Sequence, residues 1–389
     1  MRLRLQYSFN TLHVIYAMGF LFALSLAIPL YVNSTFLSEY VPEQWVGALY
    51  IAGSLLTIFW LAVIPAILRR FGNYKTTAFL MLLGMVLTLG LGFSKSLILI
   101  APIFIVYSAL LSIIFFTLDV FLESYSTDDK TGRIRGISLT MINVAILISP
   151  AIAGLTLTNG DYWKIYSLAT FFMFAVLTLL VIRFRKFKDP HYENIPFGDT
   201  LKQMYRNKDV YRIFMASLLL RFFFAWMVIY TPIYLHEYIG FAWNQIGIMF
   251  TIMLLPYVLF ELPAGRLADT KWGEKEFLSA GFVILAITSA SLAFITSASF
   301  LLWAGALFAT RIGASIVEVM TESYFFKHIG AADTNTLGLY RNARPIAYIL
   351  APLGATAFLY VFDFRYLFLA LGLVMLMGLR YSLTLKDTK

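Results

Sequence analysis

Asp119-Val120-Phe121-Leu122-Glu123-Ser124-Tyr125 returns, almost intact, 199 residues later as Glu318-Val319-Met320-Thr321-Glu322-Ser323-Tyr324. Each copy ends a long apolar run, where a carboxylate is costly unless it has a partner or faces a water-filled cavity. In both copies the acids are four residues apart, so a helix places them on one face, about one turn from each other. The recurrence marks a duplicated membrane protein.

The composition agrees. Hydrophobic residues make up 60% of the 389-residue chain and charged residues 13%, with a mean hydropathy of +0.79, which leaves too much apolar surface for water to cover. The apolar runs are continuous over about 20 residues rather than alternating over about 10, which selects self-satisfied helices over a barrel of strands. There are no cysteines, and the four histidines (His13, His191, His236, His328) show no metal-ligand spacing. No metal, redox or other cofactor is expected, and no phosphate-cradling glycine-lysine loop is present for nucleotide hydrolysis.

A net charge of +9 would suggest nucleic acid in a soluble protein, but the placement of the charges gives another reading. Of 30 Lys and Arg, Lys95, Lys164 and Arg365 fall in the loops on one side, and Arg221 and Arg311 lie inside apolar runs. The others gather at the termini and in the loops of the opposite side. This bias predicts both termini in the cytoplasm of a multi-pass protein in the cell (plasma or inner) membrane, and no nucleic-acid partner. Met1-Arg2-Leu3-Arg4 and the apolar run after it resemble a signal peptide, but the run is long and no small-residue cleavage site follows, so an uncleaved first helix is expected.

Apolar segments near 9–32, 44–68, 75–94, 97–124, 135–157 and 162–184 form one set of six. A second set lies near 211–236, 244–264, 276–297, 299–326, 335–360 and 365–384. The organisation expected is an all-α polytopic protein of twelve transmembrane helices, with bundles over 1–184 and 211–389 joined by a basic cytoplasmic linker, 185–210. Other segments repeat at nearly the same displacement. Leu37-Ser38-Glu39-Tyr40-Val41 matches Leu235-His236-Glu237-Tyr238-Ile239, Gly47 matches Gly247, and Pro150 matches Pro352. A displacement that drifts only from 198 to 202 residues is the mark of an internal repeat.

After the eighth segment comes Gly265-Arg266-Leu267-Ala268-Asp269-Thr270-Lys271-Trp272-Gly273-Glu274-Lys275. This resembles the short signature that major facilitator superfamily transporters carry after their second and eighth helices. The resemblance, with the six-plus-six repeat and the basic central loop, covers the whole chain. It implies a secondary transporter whose two bundles expose a central site alternately to either side. The first-half copy departs from the pattern: Pro65-Ala66-Ile67-Leu68-Arg69-Arg70-Phe71-Gly72-Asn73-Tyr74-Lys75 has proline for the first glycine and arginine for the aspartate.

The polar residues of the apolar runs supply the candidate site. Asp119 and Glu318 are proton-coupling candidates, with a permanent structural pairing to arginine as the alternative. Arg221 and Arg311 lie near the middle of their segments, where neither can easily snorkel to water. Either they attract an anionic solute, or they neutralise Asp119 and Glu318; the equal number of acids and bases favours the second. Asn33 and Asn143 are polar enough to line a cavity. The resemblance implies a cytoplasmic gate of salt bridges, for which the candidates are Glu123, Glu322, Arg69, Arg70, Arg266, Asp269, Arg341 and Arg344. A small-molecule substrate, a proton as coupling ion, a lipid bilayer and a monomeric state are expected. An uncoupled facilitator, and a non-transporting sensor or assembly protein of the same fold, remain the alternatives; an enzyme is not expected.

Overall fold

The computed structural model describes residues 2–125, 131–157, 160–190, 207–267, 273–328, 340 and 342–385. Among these the chain is helical throughout, as the continuous apolar runs require of a backbone that must satisfy its own hydrogen bonds in lipid. In the first half the helices are α1 (Arg2–Leu30), a short α2 (Asn33–Ser38), α3 (Glu43–Phe71), α4 (Asn73–Phe93), α5 (Leu97–Ser124), α6 (Thr131–Thr156) and α7 (Tyr162–Phe184). The second half has α8 (Lys208–Ile233), α9 (Trp243–Leu267), α10 (Glu274–Ser291), α11 (Phe300–His328), α12 (Ala343–Leu359) and α13 (Tyr366–Ser382). Ten of them are long and apolar enough to cross a membrane, while α12 and α13 are apolar but shorter.

Local chemistry sets the ends. Asn207 caps α8 by accepting from the backbone N–H groups of Asp209 and Val210, at 3.2 and 3.3 Å. At its other end α8 passes Pro232, which cannot donate to the helix ladder, and widens into a π turn over Tyr234–Tyr238. Gly72 and Gly273, at matching places in the repeat, precede α4 and α10 with φ of +79° and +81°. Few side chains tolerate that backbone, which gives the second glycine of the signature loop a physical reason to stand in both halves. In the first half the turn is locked from a distance: an Asp189 carboxylate oxygen, beyond α7, accepts from the Asn73 backbone N–H at 2.6 Å. The buried Asn73 side-chain amide donates in turn to the Thr117 carbonyl of α5, at 3.0 Å.

The chain divides into two compact units, one of residues 1–41 and 52–194 and the other of 42–51 and 195–389, so that α3 begins in the second and ends in the first. Within the first unit α1 packs on α5, α6 and α7, and α4 packs on α5 and α7. The second repeats that scheme: α8 packs on α11, α12 and α13, and α10 packs on α11 and α13. These pairings recur between the halves, and in the second unit α9 packs on α11 as well. Small residues set the closest approaches. A Cβ placed on Gly313 of α11 would come within 2.6 Å of the Leu285 backbone nitrogen on α10, and one on Gly372 of α13 within 2.6 Å of the Ala286 carbonyl. Such backbone-to-backbone contact is how helices associate where lipid removes the hydrophobic drive between them.

Residues 42–51 join the second unit through specific contacts. Tyr238 Oη donates to Glu43 Oε2, and Thr356 Oγ1 donates to the Gln44 carbonyl at 2.9 Å. Gly47 faces Pro352 and the Tyr230 hydroxyl so closely that a Cβ there would stand 2.8 Å from each.

Candidate functional site

The second unit gathers most of the charge that the sequence places inside apolar runs. Arg221 projects from α8 and Glu318 from α11, and their Nη1 and Oε1 atoms are 2.9 Å apart. Glu322, one helical turn on from Glu318, brings Oε1 to 3.7 Å from Arg221 Nη2. The Arg221 and Glu318 side chains are 24% and 21% exposed, whereas Glu322 is 47% exposed, so the tighter pair is also the more enclosed one. The i, i+4 spacing of the acids presents both to one guanidinium, whose planar fork can engage two acceptors.

Arg311 has a different environment. It is 1% exposed, and its Nε and Nη1 atoms are buried without a hydrogen-bond partner. Its Cζ lies 4.7 Å from the centre of the Phe223 ring and 5.5 Å from that of Phe224. The Phe224 ring is also 5.6 Å from Arg221 Cζ, so a single aromatic side chain serves both guanidinium groups. Glu318, seven residues after Arg311 on α11, is paired with Arg221.

In the first unit Asp119 lines a mainly apolar cavity with Ile15, Met18, Phe22, Phe115 and Ser138 among its walls. Glu123, one turn on, is exposed. Asn33 is buried at the start of α2, where its Oδ1 accepts from Tyr166 Oη at 2.9 Å, a brace to α7. Asn143 is exposed on α6. Arg69 and Arg70 are exposed in the last turn of α3, with Arg70 over the Phe71 ring. Arg344 is placed over the Tyr348 ring at the start of α12. Asp269, Arg341 and the side chain of Arg266 lie outside the described residues.

Sequence reading singles out the four charges of the second unit and favours arginines that neutralise Asp119 and Glu318, but does not say which arginine meets which acid; here it is Arg221 that meets Glu318. It did not find Phe224, whose position three residues after Arg221 was the only available hint, nor Asp189, which sits at the end of a basic stretch and so reads as solvated linker. No group of three or more His, Cys, Asp or Glu able to hold a metal occurs among the described residues.

Comparison with known proteins fits this architecture. The model of the Major Facilitator Superfamily matches residues 239–388. No curated protein matches the sequence at a significant level. Among solved structures the chain resembles the nucleoside transporter NupG with 12% identity and a TM-score of 0.77, covering 97% of this chain and 100% of that one. It also resembles the POT family transporter PepTSo with 10% identity and a TM-score of 0.77, covering 96% of this chain and 97% of that one. The chain is thus a multi-pass membrane protein whose residues 239–388 match the Major Facilitator Superfamily model and whose fold is shared from end to end with these two transporters.

Proposed function

We propose that the chain is a secondary transporter that moves a small solute by alternating access, driven by a proton gradient, with Arg221, Glu318 and Glu322 as its charged centre. The observation that carries the reading is the Arg221–Glu318 pair at 2.9 Å, made between two mainly apolar helices that are each long and apolar enough to cross a membrane. Charges in such segments pair or line a pathway. A proton on Glu318 would cancel its charge and free the guanidinium; loss of the proton would restore the pair. That exchange links proton occupancy to which partners Arg221 holds. Glu322, farther from the guanidinium and more exposed, is the second acceptor and the route to water. Asp119, set in an apolar cavity of the other unit, is the corresponding acid of the repeat and the second coupling candidate.

The rest of the assignment follows the superfamily resemblance. The bundles span 1–184 and 211–389 about a linker at 185–210, with both termini in the cytoplasm and the protein in the cell membrane. Glu123, Glu322, Arg69, Arg70, Arg266, Asp269, Arg341 and Arg344 form the cytoplasmic gate. Asn33 and Asn143 are the polar candidates for lining the solute cavity; the Tyr166 bond makes Asn33 a brace between helices as well.

The test is proton flux into liposomes holding the purified protein and a pH-sensitive dye, with a panel of solutes added outside. Solute-dependent flux in the wild type that disappears in Glu318→Gln supports coupled transport through this centre. Flux that survives in both Glu318→Gln and Asp119→Asn moves coupling elsewhere, and solute uptake without proton movement identifies an uncoupled facilitator.

A further inference from the structure

The second unit holds a cation that the Arg221 pair leaves unused. Arg311 lies inside the membrane-spanning part of α11, is 1% exposed, and has Nε and Nη1 buried with no hydrogen-bond partner. Among the described residues no carboxylate lies within ion-pair distance of it. Glu318, the acid on the same helix, is roughly 10 Å along the axis at 1.5 Å per residue and is occupied by Arg221. The ring faces of Phe223 and Phe224 attract the guanidinium electrostatically, but a ring face offers the N–H groups no lone pair in the plane where they point. A guanidinium cannot shed its charge to lower the cost of burial, as a lysine can. Arg311 is therefore a buried positive charge in an aromatic surround, with Nε and Nη1 donors that no acceptor meets.

We infer that Arg311, with Phe223 and Phe224, forms the carboxylate subsite for the transported solute, and that this solute is a small organic monoanion with an apolar body. The inference rests on the transporter reading above. The chemistry selects each part of the description. One unneutralised cation is balanced by one negative charge, and a dianion would leave a charge stranded among aromatic rings. The planar guanidinium fork fits a carboxylate with two parallel hydrogen bonds. The Phe223 and Phe224 rings beside it favour an apolar remainder over a polyhydroxylated one. Arg221 does not compete for the same group while Glu318 holds it, and Phe224, in contact range of both cations, makes the two sites neighbours.

The experiment compares benzoate, phenylacetate and octanoate with their primary amides, which keep shape and lose the charge. Binding is read as a saturable rise in the melting temperature of the purified full-length protein, and transport as solute flux into liposomes. The expected result is that at least one carboxylate binds and its amide does not. Arg311→Met should weaken that binding about tenfold or more, the loss expected when a charge-assisted hydrogen bond goes, and Arg311→Lys by less. If Arg311→Met does not fold, the wild-type comparison of carboxylate with amide decides the charge requirement, and Arg311→Lys and Phe223→Leu decide the location by weakening the carboxylate selectively. No preference for any carboxylate over its amide, or a preference that persists in folded Arg311→Met, overturns the subsite. Carboxylate binding without flux of any solute would sink the transporter reading and leave the subsite standing. Flux of an uncharged solute by a protein that ignores carboxylates would do the reverse.

Discussion

Arg221 on α8 and Glu318 on α11 are joined by a 2.9 Å contact, and Glu322 approaches the same guanidinium only to 3.7 Å. Two acids one helical turn apart thus share one arginine unequally. The nearer acid is also the less exposed, so removing its partner leaves a carboxylate with little water to replace it.

Arg221→Gln should accordingly lower stability by about 2 kcal/mol, short of the cost of breaking a fully buried pair because both side chains keep some exposure. The double variant Arg221→Gln with Glu318→Gln should recover a large part, giving a coupling energy of roughly 1 kcal/mol or more. Thermal or denaturant unfolding of the protein in detergent reads both. Strict additivity of the two single effects would show that the pair contributes nothing.

Glu322→Gln should cost under about 1 kcal/mol, because the contact is longer and the carboxylate remains half in solvent. The same unfolding assay ranks the two acids. A larger loss from Glu322→Gln than from Glu318→Gln would contradict this geometry.

The turn before α4 provides a second set of outcomes. Gly72 has φ of +79°, and a Cβ there would stand 2.7 Å from an Asp189 carboxylate oxygen. Gly72→Ala should therefore destabilise by roughly 1–3 kcal/mol through backbone strain and displacement of the cap. Asp189→Ala should cost about 1 kcal/mol as a lost helix cap. Combined, they should cost less than their sum, since the alanine at 72 already disturbs the carboxylate. Gly160→Ala, at φ of +76° with open space around it, should carry the strain alone and so cost less than Gly72→Ala; equal losses would remove Asp189 from the account.

Close helix approach in the second unit is open to a paired comparison. Gly313→Leu would drive a side chain into the backbone of α10 and should abolish the folded, monodisperse protein, a larger effect than the roughly 1–3 kcal/mol of ordinary overpacking because backbone cannot give way. Gly305→Leu, eight residues earlier on the same helix, meets nothing within 4 Å and should express normally. Size-exclusion profiles after purification distinguish the two, and a normal profile for Gly313→Leu would rule out the tight α10–α11 contact.

By itself the sequence determined that the chain is a membrane protein of repeated helices. Hydrophobic runs long enough to span lipid leave the backbone no other choice, and the recurrence of Asp119/Glu123 as Glu318/Glu322, with Gly72 recurring as Gly273, is one-dimensional information that survives without any fold. It also singled out Arg221, Arg311 and Glu318, because a charge inside an apolar run is conspicuous in a string of letters. What only the tertiary structure decided is who meets whom. Arg311 and Glu318 lie on one helix and Arg221 lies ninety-seven residues before Glu318, yet it is Arg221 that bonds Glu318 and Arg311 that is left to the phenylalanine faces. Linear spacing gives the height and the face of a residue on its own helix, whereas a salt bridge depends on how neighbouring helices are rotated and how closely small residues such as Gly313 let them approach. Those are properties of packing, set jointly by many side chains, and no single stretch of the chain encodes them.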